Sequence, residues 1–129
     1  MEGWDVPYRH SVQTALEVLR GRWTVAVLAA LARGETQYKD LITTINEVEQ
    51  RVSRGRKLSD RVLTDTLQRA RDDGLIERYA AETGNFSAVS YQLTPMGRSL
   101  LRAVRPLAEW AQENRDQLKG NTETVNQQS

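Results

Sequence analysis

Apolar residues recur at helical spacing along most of the chain, and the clearest example begins at Lys57. Leu63, Leu67 and Ala70 occupy positions i, i+4 and i+7, which predicts one apolar stripe on an amphipathic helix. The opposite face carries mixed hydrogen-bonding groups in place of the usual Glu and Lys, namely Arg61, Thr64, Asp65, Gln68 and Arg71. The pattern therefore predicts a helix at about residues 59–73 whose polar face contacts a partner.

Both ends of this helix carry recognisable signals. Ser59 is a good N-cap, because its hydroxyl can accept from a backbone N–H that is unpaired in the first turn. Gly74 follows the last apolar position and suits the left-handed conformation that ends many helices.

Three helices are predicted before this one. Apolar residues at helical spacing predict the first from about Arg9 to Arg20, since Pro7 disfavours helix before that point. Residues 23–33 are apolar nearly all round, which is typical of a helix buried in the middle of a domain. Thr36 can cap a shorter third helix at residues 37–45, which would bury Tyr38, Leu41, Ile42 and Ile45.

Residues 46–56 leave two alternatives open. The segment is longer than the turn of about 3–4 residues that usually joins the two helices of a helix-turn-helix. Either the third helix continues through Val48 and Val52, or a flexible basic loop occupies the segment. We favour a partly helical extension followed by a mobile loop at residues 53–56.

Two strands are predicted after the amphipathic helix. Residues 75–80 read as the first strand, with Leu75, Ile76 and Tyr79 as its packing residues, and residues 89–93 alternate apolar and polar as the second. Between them, Gly84 and Asn85 favour a turn. The pattern predicts a two-stranded antiparallel hairpin.

A long helix is predicted to follow the hairpin. Thr94 and Pro95 supply a hydroxyl N-cap and a proline at the first helical position. The apolar pattern then continues to about Leu118, with Met96 as an ordinary core residue and Pro106 expected to kink the helix.

The length of 129 residues fits one domain with an ordinary hydrophobic core. We assign residues 1–8 to an N-terminal arm, residues 9–119 to the domain and the polar residues 120–129 to a disordered tail.

Composition excludes several classes of function. The chain has no cysteine and one histidine, His10, so thiol chemistry is excluded and we expect no metal, no cofactor and no catalytic site. No apolar run approaches the roughly 20 residues that span a bilayer, and the N-terminus lacks the features of a signal peptide. We therefore expect no membrane partner and a cytoplasmic, nucleoid-associated protein.

Charge is distributed unevenly. The whole chain carries a net charge of +1, but residues 51–71 hold seven Arg or Lys against two Asp, a local net charge of +5. A concentration of positive charge beside the amphipathic helix is what a phosphate-binding surface requires, although a solvated basic loop is the simpler alternative.

Several motifs in fixed order resemble one family of regulators. These are GRWTVAVLAALARGETQYKDL, LSDRVLTDTLQRARDDGLIER, YQLTPMGRSLL and the later PLAEWAQE. Together they resemble the HxlR-type branch of the MarR-like winged helix-turn-helix transcriptional regulators, over roughly residues 9–118. The resemblance implies a mostly α fold with a small antiparallel hairpin, binding to double-stranded DNA, and a homodimer formed through the first and long last helices.

The sequence departs from the family pattern in two ways. Many members carry a cysteine sensor just before the first helix, whereas this chain has VPYRHS there. Residues 46–56 are also longer than the usual connection.

These considerations give a set of candidate site residues. A recognition helix places its N-terminal residues against base edges, which makes Ser59, Arg61, Thr64 and Gln68 the candidates, with Arg61 suited to guanine and Gln68 to adenine. Asp65 either accepts from cytosine or pairs with Arg61 or Arg69. For phosphate contacts the candidates lie in a basic loop at residues 51–57 and are Arg51, Arg54, Arg56 and Lys57.

The hairpin and the dimer interface complete the set. The hairpin tip has no Lys or Arg, so its candidates are Asn85, Ser87 and Ser90. At the dimer interface the candidates are Leu16, Leu100, Val104, Leu107, Trp110 and Ala111.

The aromatic residues allow more than one interpretation. Trp23 and Trp110 either stack on an aromatic effector or, as we favour, fill the core and the dimer interface respectively. Tyr8 and His10 are further candidates for an effector cleft. Two alternatives to DNA binding remain: a winged-helix module that binds other proteins, and a small-molecule sensor with a pocket near the dimer interface.

Overall fold

The computed structural model describes residues 6–53, 57–80 and 89–118. The chain divides after Arg98 into two compact units. The elements in chain order are α1 (Val6–Leu19), α2 (Thr24–Ala30) with a 3₁₀ turn (Leu31–Arg33), β1 (Thr36–Gln37), α3 (Tyr38–Ser53), α4 (Asp60–Asp72), β2 (Ile76–Tyr79), β3 (Ser90–Leu93) and α5 (Pro95–Glu113).

The three strands form one antiparallel sheet in the order β1-β3-β2. Ile76 pairs with Leu93 and Tyr79 with Ser90, which confirms the predicted hairpin. The two-residue strand β1 adds a third strand, because Thr36 pairs with Tyr91 on the other edge of β3. The prediction that Thr36 caps a helix is therefore wrong: its backbone joins the sheet and its hydroxyl donates to the Gly34 carbonyl.

The core lies among α2, α3, α4 and the sheet. Its largest fully buried side chains are Val27, Leu28, Leu31, Leu41, Leu63 and Leu67. Each such leucine contributes about 1.5–3 kcal/mol by burial, so α4 is fixed in the fold by the apolar stripe that its sequence predicts. Trp23 is also buried, in agreement with its assignment to the core.

The first two helices differ from their predicted forms. α1 begins at Val6, so Pro7 lies in its first turn, where a missing N–H costs no intrahelical hydrogen bond. α2 is buried on one face only, since Val25 and Ala29 are exposed. The prediction of a helix buried in the middle of the domain therefore holds for one face of α2, and the outer face carries Val25 and the small Ala29.

α3 resolves the choice left open for residues 46–56. It continues helical to Ser53, with Val48 exposed and the half-buried Glu49 paired with Arg22. The side chains of residues 46–51 are therefore exposed or half-buried. Tyr38 and Ile42 are half-buried, while Leu41 and Ile45 are buried as predicted. Residues 54–56 lie outside the described residues.

The start of α5 is fixed by Thr94. Its hydroxyl accepts from the Gly97 N–H at 3.0 Å and donates to the Gly74 carbonyl at 2.7 Å, which confirms the predicted cap. A Cβ on Gly97 would lie 2.2 Å from the Leu75 carbonyl oxygen, so the first turn of α5 approaches that backbone more closely than any other residue allows. Met96 is exposed and not a core residue as predicted, because it faces outward from this first turn.

α5 ends at Glu113 and contains Pro106, and a turn at Asn114 precedes four more helical residues. The predicted tail, residues 120–129, lies outside the described residues, as do residues 1–5 of the predicted arm. Among the helices that the structure describes, none has the length and apolar character needed to span a bilayer.

Candidate nucleic-acid interface

α4 exposes the polar face that its sequence predicts. Arg61, Thr64, Asp65, Gln68 and Arg71 are exposed, while the opposite face is buried in the core. Because the other side of α4 is packed in the core, its exposed polar groups can contact a partner while the helix stays folded.

The N-terminus of α4 is held by two side chains. The Ser59 hydroxyl accepts from the Val62 N–H at 3.2 Å, which confirms it as the N-cap. From α3, the Asn46 amide donates to the Leu58 carbonyl at 3.2 Å and its oxygen accepts from the Leu58 N–H at 2.7 Å. Both hydrogen-bonding groups of the Leu58 backbone are therefore paired with one side chain, which fixes where the helix begins.

Tyr38 lies against the same end of α4. Its hydroxyl donates to the Asp60 carboxylate at 2.8 Å and lies 3.5 Å from the Thr64 hydroxyl. Partial burial, followed by the interaction with Asp60, raises the pKa of Tyr38 above its usual 10.0, so the phenol stays protonated and can donate. Because Thr64 is a predicted base contact, Tyr38 joins the candidate surface, although its apolar spacing predicts only a core role.

The C-terminus of α4 ends as predicted. Gly74 has φ +78°, its N–H donates to the Arg71 carbonyl, and the Leu75 N–H donates to the Ala70 carbonyl. This pattern is a Schellman motif, which pairs the last helical carbonyls.

Arg69 joins α4 to the α1–α2 turn. Its guanidinium Nη2 donates to the Arg20 carbonyl at 2.9 Å and to the Thr24 hydroxyl at 3.0 Å. Gly21 has φ +93°, and a Cβ there would lie 2.6 Å from the same Nη2 atom. Gly21 therefore provides the space for this arginine, and the Arg20 carbonyl and Thr24 hydroxyl provide its acceptors. We call these contacts the Arg69 clamp.

The alternative in which Asp65 pairs with Arg69 is wrong. Arg69 points to Arg20 and Thr24, and no hydrogen bond or ion pair joins Asp65 to any part of the chain that the structure describes. Gln68 donates to Asp72 at 2.9 Å, so its amide is already oriented along the helix.

The predicted phosphate contacts are placed only in part. Arg51 lies exposed in the last turn of α3. Residues 51–53 were predicted to begin a basic loop, and they are helical instead. Lys57 is exposed two residues before Ser59. Arg54 and Arg56 lie outside the described residues.

The hairpin candidates are similarly divided. Asn85 and Ser87 lie outside the described residues. Ser90 is buried in the central strand and donates to the Glu35 carboxylate, so the prediction that it contacts DNA is not supported by its position. Tyr79, predicted to pack, is exposed and donates to Glu77, because β2 is an edge strand with only Ile76 buried.

Residues predicted at the dimer interface include large exposed apolar side chains. Leu16 on α1 is 56% exposed, and Leu107 and Trp110 on α5 are each 54% exposed. Ala111 is also exposed, and Leu100 and Val104 are half-buried. Tyr8 and His10 lie exposed on α1. Over the described ranges, no group of His, Asp and Glu could hold a metal ion.

The order of α3, α4 and the β2–β3 hairpin, with the polar face of α4 exposed, defines a winged helix-turn-helix regulator of the MarR-like type. The chain belongs to the HxlR-like helix-turn-helix family, whose profile matches residues 18–119. It is a transcriptional regulator of this helix-turn-helix class.

Comparison with known proteins agrees with this assignment. The chain is 31% identical over 99 residues to the HTH-type transcriptional regulator YtfH of Escherichia coli K12, covering 77% of this chain and 70% of YtfH. It is 27% identical over 122 residues to YtcD of Bacillus subtilis 168, covering 95% and 88% respectively. A MarR-family regulator from Enterococcus faecalis V583 aligns with a TM-score of 0.66 and 26% identity, covering 94% of this chain and 97% of that one.

Proposed function

We propose that this protein is a homodimer that binds double-stranded DNA sequence-specifically through α4, and so regulates transcription at the nucleoid. The supporting observation is that α4 exposes a polar face while Ser59, Asn46 and the Arg69 clamp hold both of its ends. A helix held in this way can insert into a major groove without a large ordering cost.

Base readout is assigned to the N-terminal half of α4. Arg61 is the second residue of α4 and is exposed, so it can donate bidentately to guanine O6 and N7. Thr64 and Ser59 offer exposed hydroxyls, and Gln68 reaches an adenine by exchanging its hydrogen bond to Asp72.

Phosphate binding is assigned to the residues before α4. Arg51 and Lys57 are exposed on either side of residues 54–56, which add Arg54 and Arg56. Because the hairpin tip has no basic residue, this basic segment at residues 51–57 is proposed as the main phosphate contact, with Asn85 and Ser87 as minor ones.

Homodimer formation is supported by the exposed apolar side chains of α1 and, separately, of α5. Leu16, Leu107 and Trp110 are large apolar side chains that remain more than half exposed in the single chain. Exposed apolar surface of this kind favours a protein–protein interface. A twofold dimer carries two α4 helices, which fits a pseudo-palindrome with half-sites about 34–36 Å apart.

A binding titration over a range of salt concentrations tests the proposal. Labelled genomic fragments enriched by the purified protein should bind in fluorescence polarisation, and affinity should fall steeply as salt rises. In a homodimer the double change Arg51→Ala and Lys57→Ala removes the side chains of four phosphate contacts, so it should weaken binding to all fragments alike and reduce the log–log salt slope by about 4. Arg115→Ala, an exposed arginine after α5, is the control and should leave the slope unchanged.

Two outcomes would contradict the proposal. Absence of any salt-dependent complex would favour the protein-interaction alternative. An unchanged slope in the double variant would remove the basic segment from the interface.

A further inference from the structure

A partly enclosed cavity lies between α2 and α3. Its volume is about 410 Å³, within the range of about 300–1,000 Å³ typical of small-molecule sites. Apolar side chains form most of its wall, with three alanines of α2 opposite larger residues of α3: Ala26, Ala29, Ala30, Leu41, Ile45 and Val48.

Charge is distributed unequally between the two ends of this cavity. Arg33 lines the end where the chain turns towards β1, and its guanidinium makes no hydrogen bond or ion pair with any residue in the described ranges. At the other end, Glu49 is neutralised by Arg22. Leu41 and Glu49 are eight residues apart on α3, so about 12 Å separates the two ends.

Thr36 and Thr44 are the other polar residues of the wall. The Thr36 hydroxyl is already bonded to Gly34. A ligand that matches this wall has an apolar body against the alanines and aliphatic residues, and one anionic group at the Arg33 end.

The α3 wall is connected to the recognition helix through one residue. Ile45 lines the cavity and is buried, and the adjacent Asn46 makes both hydrogen bonds to Leu58 that fix the start of α4. A ligand that separates α2 from α3 therefore changes the position of Asn46 and, through it, the position of Ser59 and Arg61.

We propose that the α2–α3 cavity binds a small apolar carboxylate, with the carboxylate on Arg33, and that binding there changes DNA affinity. The carboxylate forms a charge-assisted hydrogen bond to the guanidinium, and the apolar body displaces water from the alanine face. The binding claim stands independently, whereas the regulatory claim rests on the proposed DNA binding.

The test begins without DNA. A panel of aromatic and aliphatic carboxylates of one or two rings, with 1-naphthoate as the first probe, is measured against the matched amides by calorimetry and thermal shift. At least one acid should bind and raise Tm increasingly as its concentration exceeds its Kd. Its amide should bind about tenfold or more weakly, because the charged hydrogen bond is lost.

Variants locate the site. Arg33→Gln should weaken acid binding about tenfold or more, whereas Arg102→Gln, an exposed arginine of α5, should not. Ala29→Leu narrows the cavity from an exposed position and should also weaken binding, while Ala32→Leu, exposed but outside the wall, should leave it unchanged.

DNA is added in the last measurement. Linkage requires the ligand to change the protein's affinity for DNA by the same factor by which DNA changes the protein's affinity for the ligand. If no acid binds at millimolar concentration, or if Arg33→Gln and Ala29→Leu bind like the wild type, the site is refuted. Unchanged DNA affinity with the ligand bound refutes the regulation alone. A failure of the protein to bind DNA refutes the proposed function and leaves the binding result intact.

Discussion

Asn46 shows how one side chain sets the position of a functional surface. It pairs both polar groups of the Leu58 backbone, one residue before the N-cap of α4. Asn46→Ala should destabilise the protein by about 1–3 kcal/mol, because the backbone N–H and carbonyl of the buried Leu58 lose their protein partners. Urea denaturation measures this loss.

A neighbouring exposed residue supplies the control for Asn46. Among the described residues, the exposed Thr43 hydroxyl donates to the Lys39 carbonyl within α3 alone, so Thr43→Ala should change the stability very little. Equal stability of the two variants would contradict the role assigned to Asn46.

Residues that act on their sequence neighbours could be predicted from the sequence. Ser59 caps α4 over three residues, Gly74 ends it, and Thr94 caps α5. Asn46 and Arg69 could not be predicted, because their partners lie 12 and up to 49 residues away. Only the fold brings these groups together.

At the scale of the elements, the Arg69 clamp connects α4 to the turn between α1 and α2. Arg69→Met keeps a long apolar side chain but removes the donors to Arg20 and Thr24. We expect faster hydrogen exchange of the α4 backbone amides and a loss of about 1–3 kcal/mol in unfolding free energy, since two acceptors lose their partner.

Arg71→Met is the matched control for the clamp in these stability measurements. Arg71 lies in the same helix and is exposed, so its substitution should leave exchange in α4 near the wild-type rate. Similar exchange in both variants would show that the clamp does not hold α4.

Elements with clear periodicity were predicted well, and the short or outward-facing ones were not. α4 and the β2–β3 hairpin have strong apolar patterns and end signals. β1 has two residues, too few to show alternation, and only its pairing with β3 reveals it. The extension of α3 to Ser53 has the exposed Val48, so no amphipathic pattern predicts where it ends.

At the scale of the whole molecule, α1 and α5 each expose large apolar side chains that a homodimer would bury. The double change Leu16→Glu and Trp110→Glu should shift the protein to monomer in sedimentation equilibrium, because charges in an apolar interface are strongly unfavourable. DNA affinity should fall with it, since one recognition helix is lost per site.

Gln13→Glu and Gln112→Glu together form the matched control for this double change. Both positions are exposed on the same two helices, and the added charge is the same. If the Leu16 and Trp110 variant sediments like this control, these residues do not form the interface.

The sequence-specific role of α4 is tested most directly by selection of bound DNA from random sequence, with wild-type protein and Arg61→Ala in parallel. We predict that the wild type enriches a pseudo-palindrome with half-sites about 34–36 Å apart, and that Arg61→Ala loses the preference for guanine at one position in each half-site. Enrichment of the same motif with undiminished preference by both proteins, or no motif for the wild type, would contradict base readout by this helix.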